Sequence, residues 1–119
     1  MKVSKVSIKD GDKLYLVTRE DLSPGYQAVQ ACHALRQFVA DHPEIDKEWF
    51  TQSNYLALLV VKNLDDLVKL QNDAQNLGLR VSVFDEPDID NQITAIAIEP
   101  HPKSQELCRS LSLALKIQR

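Results

Sequence analysis

A run of seven apolar residues in the middle of the chain does most to limit the folds open to it. Tyr55–Val61 reads YLALLVV and contains no polar residue. A short, continuous run rich in valine and leucine is typical of a central strand covered on both faces, as in parallel sheets. A second apolar run at Leu14–Thr18 predicts an earlier strand. The sequence therefore predicts a buried sheet that needs helices on both of its faces.

Helical stretches follow these two strands. Ser23 is a good N-cap for a first helix, which is predicted to run to about Asp41. Residues 44–53 then form a predicted acidic connection that leads into the strand at Tyr55. Asn63 caps a second predicted helix, and Gly78 is a signal for its end. Strand and helix therefore alternate through the first two thirds of the chain.

The last third is predicted to contain two strands and a helix. Arg80–Phe84 predicts a strand, Asp85–Asn91 an acidic loop, and Ile93–Ile98 a further strand. The loop is too short for a parallel crossover, so the last strand should run antiparallel to the one before it. Ser104 is the predicted cap of a third helix, whose apolar stripe extends to Leu115.

The predicted element order is β-α-β-α-β-β-α. It indicates an α/β fold, a three-layer α/β/α sandwich with a four-stranded mixed sheet. A chain of 119 residues is expected to form one domain, residues 1–119, with residues 1–12 as a flexible N-terminal segment.

Composition excludes several classes of protein. The net charge of −3 argues against a bulk electrostatic binder of nucleic acid. No apolar run reaches the ~20 residues that span a bilayer, so no membrane association is expected. Cys32 and Cys108 are not in a CxxC or metal-ligand spacing, and each lies among apolar residues of a predicted helix. These features favour a reduced, cytoplasmic protein.

The first helix carries a polar face whose side chains could bind a ligand or take part in catalysis. Gln27, Gln30 and His33 recur at positions i, i+3 and i+6. One interpretation is a hydrogen-bonding platform beside a ligand, with His33 as general acid or base. The alternative is an ordinary polar helix face with a partly buried histidine.

A charged corner precedes that helix. Arg19, Glu20 and Asp21 lie where the first strand should leave the sheet, and Gly25 follows Ser23 in the helix start. Arg19 and the exposed N–H groups of the helix start could bind an anion, with Gly25 allowing a close approach. A solvated turn with a surface ion pair is the alternative.

The densest charge lies between the last two strands. Asp85, Glu86, Asp88 and Asp90 place four carboxylates within six residues. They could hold a hard cation, orient a water molecule as a base, or form a plain acidic surface loop. The EF-hand pattern fails, because the twelfth position counted from Asp85 is Ile96.

These residues together resemble the opening motif of the type II peptidyl-tRNA hydrolase family. That motif is an apolar strand, then R-x-D-L, a turn with glycine, and A-A-Q-x-x-H-A on a helix. The matching residues here are Val17, Arg19, Asp21, Leu22, Gly25, Ala28, Gln30, His33 and Ala34. The resemblance continues through the apolar strand at 55–61, the N-L-G-L-x-V-S segment at 76–82, and Thr94.

The resemblance implies hydrolysis of the ester bond between a peptide and tRNA, with no cofactor and no metal. His33 and either Asp85 or Glu86 would be the catalytic residues, the carboxylate orienting the attacking water. The substrate-binding residues would be Arg19, Asp21, Gly25, Gln30 and Thr94. The partner would be peptidyl-tRNA, and the resemblance also implies a homodimer.

Two segments depart from the family pattern. The family's glycine turn usually carries lysines, whereas residues 24–27 read PGYQ. The family's D-A-G-x-T-Q loop is replaced by the acidic DEPDIDNQ of residues 85–92. Both changes remove cations or add carboxylates where RNA would pass, so tRNA binding is expected to be weak. The alternative function is therefore a non-catalytic binding module of the same fold, or a hydrolase of another small ester or amide.

Overall fold

Five strands and four helices make up the described part of the chain. The structure is a computed structural model, and it describes residues 7–116. The elements are β1 (Lys13–Arg19), α1 (Pro24–Asp41), α2 (Pro43–Gln52), β2 (Tyr55–Val61), α3 (Leu64–Asn76), β3 (Val81–Glu86), β4 (Gln92–Ile98), α4 (Pro102–Cys108) and β5 (Ser112–Leu113). A 3-10 turn at Pro87–Ile89 joins β3 to β4.

The strands form one mixed sheet in the order β3-β4-β1-β2-β5. β1 and β2 are parallel, whereas β4 is antiparallel to both of its neighbours and β5 is antiparallel to β2. The expected antiparallel pairing of β3 with β4 is confirmed. The predicted count of four strands is wrong, because β5 adds a fifth.

Each face of the sheet packs against a different pair of helices. Successive side chains of a strand point to opposite faces, so Leu16 and Val17 of β1 belong to different core clusters. The Leu16 cluster is completed by α1 and α2, including the fully buried Phe38. The Val17 cluster is completed by α3 and α4, including the fully buried Leu67.

The strand at Tyr55–Val61 is less buried than its composition predicts. Leu59 and Val60 are buried, but Tyr55 and Leu56 are exposed. β5 pairs only with the second half of β2, at Leu59 and Val60, so the first half lies at the edge of the sheet. The expectation that both faces are covered therefore holds for half of the strand.

The predicted acidic connection at 44–53 is wrong, because most of it is helix α2. Pro43 stands in the first turn, and Glu44 and Asp46 complement the positive end of the helix dipole. Ile45 and Trp49, four residues apart, are buried against the sheet. The Trp49 indole N–H donates to the carbonyl of Tyr55 at 2.9 Å, which ties the helix to the strand that follows.

The third helix is also shorter than predicted. α4 ends at Cys108, and its N-cap is His101, whose ring accepts a hydrogen bond from the backbone N–H of Lys103. Ser104 is a buried residue inside the helix and donates to the carbonyl of Glu99. The segment from Arg109 to Leu115 is not helical, because its residues Ser112 and Leu113 form β5 and hydrogen-bond to backbone groups of β2 that would otherwise lack partners.

The two cysteines differ in environment. Cys108 is buried, and burial raises the pKa of its thiol to about 12. Cys32 is exposed on α1, so the expectation that it packs among apolar residues is wrong. Ile8 is buried in the α1 side of the core, while residues 1–6 of the predicted flexible segment lie outside the described residues.

Candidate functional site

Most of the residues singled out in the sequence meet at one end of the sheet. The site lies where β1 ends, α1 begins, β3 ends and β4 begins. β1 delivers Arg19, α1 delivers Gln30 and His33, β3 delivers Glu86 and β4 delivers Thr94. The pairing of β3 with β4 and of β4 with β1 brings these distant segments together.

A buried chain of hydrogen bonds joins three of these residues. The Thr94 hydroxyl donates to the side-chain oxygen of Gln30, and the Gln30 amide donates to Glu86 Oε1 at 2.9 Å. Gln30 and Thr94 are 1% and 0% exposed, so this network is sealed from water. Below it, the Thr18 hydroxyl donates to the carbonyl of Thr94 at 2.9 Å. Glu86 is thus held in one position from the interior of the protein.

A bulge in β4 sets Thr94 in place. The register changes from Phe84 opposite Ala95 to Asp85 opposite Ile93, which leaves Thr94 as the extra residue. Bulges of this kind re-aim a side chain beside functional sites. Here the bulge turns the Thr94 hydroxyl toward α1, where it meets Gln30.

The two candidate carboxylates lie on opposite faces of the sheet. β3 extends to Glu86, two residues beyond its predicted end. Ser82 and Glu86 both contact α1, through Asp41 and Gln30 respectively, so alternation places Asp85 on the other face. Asp85 is exposed there, and only Glu86 shares a face with Gln30.

The surroundings of Glu86 favour its charged form. The backbone N–H of Asp88, at 3.1 Å from Oε2, is the main cause that lowers the pKa of Glu86. The Gln30 amide lowers that pKa further, as do the nearby His33 and the hydroxyl of Tyr26. Partial burial, followed by the charge of Glu86, raises the pKa of Tyr26. At neutral pH the site therefore holds a carboxylate beside a protonated phenol.

His33 stands at the open side of Glu86. Its ring stacks on Phe84 with centroids 4.4 Å apart and an angle of 12° between the planes. The residue is exposed, and neither ring nitrogen makes a hydrogen bond within residues 7–116. The stack fixes the plane of the imidazole while its edge stays accessible to solvent. An imidazole whose edge is accessible in this way is a candidate general base.

Arg19 is buried, and four of its five side-chain N–H groups donate to protein acceptors. Its guanidinium donates to both oxygens of Asp21, at 3.0 and 2.8 Å. The remaining Nη donates to Gln92 Oε1 at 2.8 Å and to the carbonyl of Ile93 at 3.2 Å. The hydrogen bonds from Arg19 are the main cause that lowers the pKa of Asp21. Arg19 therefore ties the end of β1 to the start of β4.

At the start of α1, the backbone N–H groups of Gly25 and Tyr26 make no hydrogen bond within residues 7–116, whereas Pro24 has no N–H and the Gln27 N–H donates to the Ser23 carbonyl at 2.8 Å. The first N–H groups of any helix lack an intrahelical acceptor, and the side chain of Ser23 makes no capping hydrogen bond. Gly25 has an ordinary backbone conformation, and a Cβ added there would meet nothing within 4 Å. The glycine is thus not required by the backbone, and open space lies beside it.

No metal site is found in the acidic segment. Within residues 7–116, no three His, Cys, Asp or Glu side chains are grouped so as to hold a metal ion. Asp88 and Asp90 are exposed, and Asp90 adopts a left-handed conformation with φ of 60°. In the same range, none of the helices combines the length and apolar character needed to cross a membrane.

The sequence interpretation missed two residues of the site. Tyr26 lies one helical turn before Gln30, and His33 follows at i+7 from Tyr26, which is a helix-face spacing. Phe84 lies two residues before Glu86, on the same face of β3. The spacing of Tyr26 could be read from the predicted helix start at Ser23, whereas that of Phe84 required knowing that β3 continues to Glu86.

Comparison with known proteins places the sequence in a family. The sequence matches the family described as peptidyl-tRNA hydrolase PTH2 over residues 12–114. The fold is similar to that of a protein of unknown function from Agrobacterium tumefaciens strain C58. That similarity has a TM-score of 0.62 at 14% sequence identity, and it covers 85% of this chain and 96% of the other. On the family match, the chain belongs to the peptidyl-tRNA hydrolase PTH2 family.

Proposed function

We propose that this protein hydrolyses the ester bond between a peptide and the 3′ ribose of tRNA. The observation that carries the proposal is the accessible imidazole of His33 beside a fixed, ionised Glu86. The family match supplies the substrate class, since the family acts on peptidyl-tRNA.

In the proposed mechanism His33 accepts a proton from water as that water attacks the ester carbonyl. The imidazolium that forms is stabilised by the negative charge of Glu86. The carbonyl oxygen becomes an oxyanion, which the free N–H groups at the start of α1 stabilise. Collapse of this intermediate breaks the bond to the ribose oxygen, and His33 returns the proton to it. The products are a peptide acid and tRNA with a free hydroxyl.

The other predicted site residues are assigned to positioning. Gln30 and Thr94 hold Glu86 through their buried hydrogen bonds. Arg19 and Asp21 hold the junction of β1 and β4 on which that network stands. We assign Arg19 to holding this junction rather than to binding a substrate anion, because four of its five N–H donors already bind protein acceptors. Gly25 leaves the space through which the ester reaches the helix start.

Contacts to the tRNA backbone are proposed for two exposed cations. Arg36 lies one helical turn beyond His33 on α1 and makes no ion pair within the described range 7–116. Lys62 comes directly after β2, at the end of the sheet where β1 also ends. The two strand ends are adjacent, because the Glu20 N–H donates to the Val61 carbonyl at 2.8 Å. Cytoplasmic location and a homodimer stay predictions from the sequence and the family resemblance.

A second candidate is a re-specialised member that binds or hydrolyses a neutral or cationic compound. Asp88 and Asp90 are exposed next to Glu86, and no lysine occupies the turn before α1. Carboxylates at this position repel a phosphate backbone and favour a substrate without negative charge. This candidate keeps His33 and Glu86 in the same roles and changes only the substrate.

The test is turnover of peptidyl-tRNA by the full chain and by His33→Phe. Phenylalanine keeps the stack on Phe84 but removes the base, so kcat should fall about 100-fold or more. His42→Phe is the matched control, because His42 lies at the other end of α1, about 13 Å away at 1.5 Å per residue. Its kcat should stay within about twofold of the parent protein.

Two results would contradict the proposal. A folded parent protein that releases no tRNA would exclude the substrate and favour the second candidate. A His33→Phe variant with the same kcat as the His42→Phe control would exclude His33 as the base, whatever the substrate.

A further inference from the structure

A separate cavity lies at the opposite end of the sheet from the hydrolytic site. It has a volume of about 220 Å³ and lies where the turn before β1 meets the start of α4. Its polar lining consists of Asp10, Asp12, Lys13, Tyr15, His101 and Gln105. The seven residues of β1 separate the two ends by about 20 Å at 3.3 Å per residue, so the cavity is not part of the hydrolytic site.

The cavity is lined in part by Tyr15, whose ring is buried and whose hydroxyl makes no hydrogen bond to the described residues. Tyr15 is only 8% exposed, and its hydroxyl makes no hydrogen bond within residues 7–116. Every side-chain polar atom that is sealed from solvent in that range does have a partner. The Tyr15 hydroxyl is therefore not sealed, and Tyr15 is one of the residues that line this cavity. A polar group that faces such a space can be completed by a ligand or by water.

The state of the tyrosine suits a neutral hydrogen-bonding role. Burial raises the pKa of Tyr15, and the neighbouring Cys108 and Asp12 raise it further. The phenol therefore keeps its proton at neutral pH, and its oxygen remains able to accept a hydrogen bond.

The charges of the lining favour a cation. Two carboxylates, Asp10 and Asp12, stand against one ammonium, Lys13. Asp12 Oδ2 accepts the backbone N–H of Lys9 at 2.9 Å, which fixes this carboxylate at the rim. Asp10 makes no hydrogen bond within the described residues, so both of its oxygens can accept one from a ligand.

We propose that this cavity binds a small organic ammonium ion, whose N–H groups donate to the Tyr15 hydroxyl oxygen and to the carboxylates of Asp10 and Asp12. One water molecule takes up about 30 Å³ in the liquid, so the volume corresponds to roughly seven waters. A short-chain organic amine is small enough for this space. Nothing in this proposal depends on the hydrolytic activity.

The experiment is a titration of the full chain with n-butylamine at neutral pH, followed by amide chemical shifts in 15N NMR. Butanol and butyrate at matched ionic strength are the comparison ligands, because they keep the alkyl chain and change the head group. The amine should give saturable shifts at Gly11 and Gln105, and the two comparison ligands should give none. The amides of Gln30 and Glu86, at the other end of the sheet, should not move.

Three variants test the assignment of the contacts. Tyr15→Phe keeps the ring in the core and removes only the hydroxyl, so affinity should fall about three- to tenfold. Asp10 is exposed, so Asp10→Asn should not disturb folding, and it should weaken binding about tenfold. This variant tests the proposal even if Tyr15→Phe folds poorly. Asp65→Asn, an exposed carboxylate on α3, is the control and should leave affinity unchanged. Saturable binding of butyrate or butanol, absence of any saturable binding, or equal affinity of Asp10→Asn and the parent protein would overturn the proposal.

Discussion

At the scale of single residues, the site depends on hydrogen bonds that have no access to water. Gln30 joins Thr94 to Glu86, because its side-chain oxygen accepts from Thr94 and its side-chain nitrogen donates to Glu86. In such a place the cost of leaving one partner unpaired exceeds the net gain from forming the bond. Replacements at Thr94 and Glu86 should therefore change the free energy of unfolding more than the same replacements at surface threonines and glutamates.

The first prediction concerns Thr94→Val, which keeps the shape of the side chain and removes its hydroxyl. The buried oxygen of Gln30 then lacks its donor, so the free energy of unfolding should fall by about 1–3 kcal/mol in urea denaturation. Thr51→Val on the exposed face of α2 is the matched control and should change stability by less than about 0.5 kcal/mol. Equal effects of the two variants would show that the buried network contributes no more than a surface threonine.

The second prediction concerns the pH dependence of stability. The folded protein lowers the pKa of Glu86 below its usual 4.5, so the unfolded chain binds the proton more readily. The resulting stabilisation is complete well above pH 4.5 and is lost as the pH falls through the lowered pKa. Glu86→Gln removes this contribution, so the stability difference between parent and variant should shrink as the pH is lowered from 7 to 3. A difference that stays constant over this range would contradict the lowered pKa.

At the scale of elements, the beginnings of the helices are built in different ways. Asn63 caps α3, because its side chain accepts the backbone N–H of Asp66 at 3.0 Å. Ser23 occupies the same position before α1 but makes no such bond. One helix start is therefore closed by its own side chain, and the other is open toward the proposed ester site.

The third prediction follows from this difference. Asn63→Ala should lower the free energy of unfolding by about 1 kcal/mol in urea denaturation. Ser23→Ala, the matched control, should lower it by clearly less, because no capping bond is lost. If the two losses were equal, the open start of α1 would have to be abandoned as a feature of the site.

The boundaries of the helices and strands also show which elements could be predicted from the sequence and which could not. β1, α1 and α3 were predicted because periodicity and caps are local signals. α2 was missed because its apolar face is only Ile45 and Trp49, and its acidic residues resemble a loop. α4 was predicted too long because β5 replaces the helix only through pairing with β2, a contact between distant segments.

At the scale of the whole molecule, the sheet is what assembles the site. Gln30 and His33 were recognised as a pair from their spacing, but their carboxylate partner could not be chosen between Asp85 and Glu86. That choice depends on which face of β3 each residue occupies, and therefore on a strand two residues longer than predicted. The engagement of Arg19 by Gln92 was equally hidden, because it spans 73 residues of sequence.

The most direct test of the central claim compares two neighbouring carboxylates in a peptidyl-tRNA hydrolysis assay. Glu86→Gln keeps the size of the side chain but removes the charge beside His33, so kcat should fall about 10- to 100-fold. Asp85→Asn makes the same chemical change one residue away, on the opposite face of the sheet, and should retain kcat within about twofold. A loss of activity in Asp85→Asn equal to or greater than that in Glu86→Gln would contradict the proposed site.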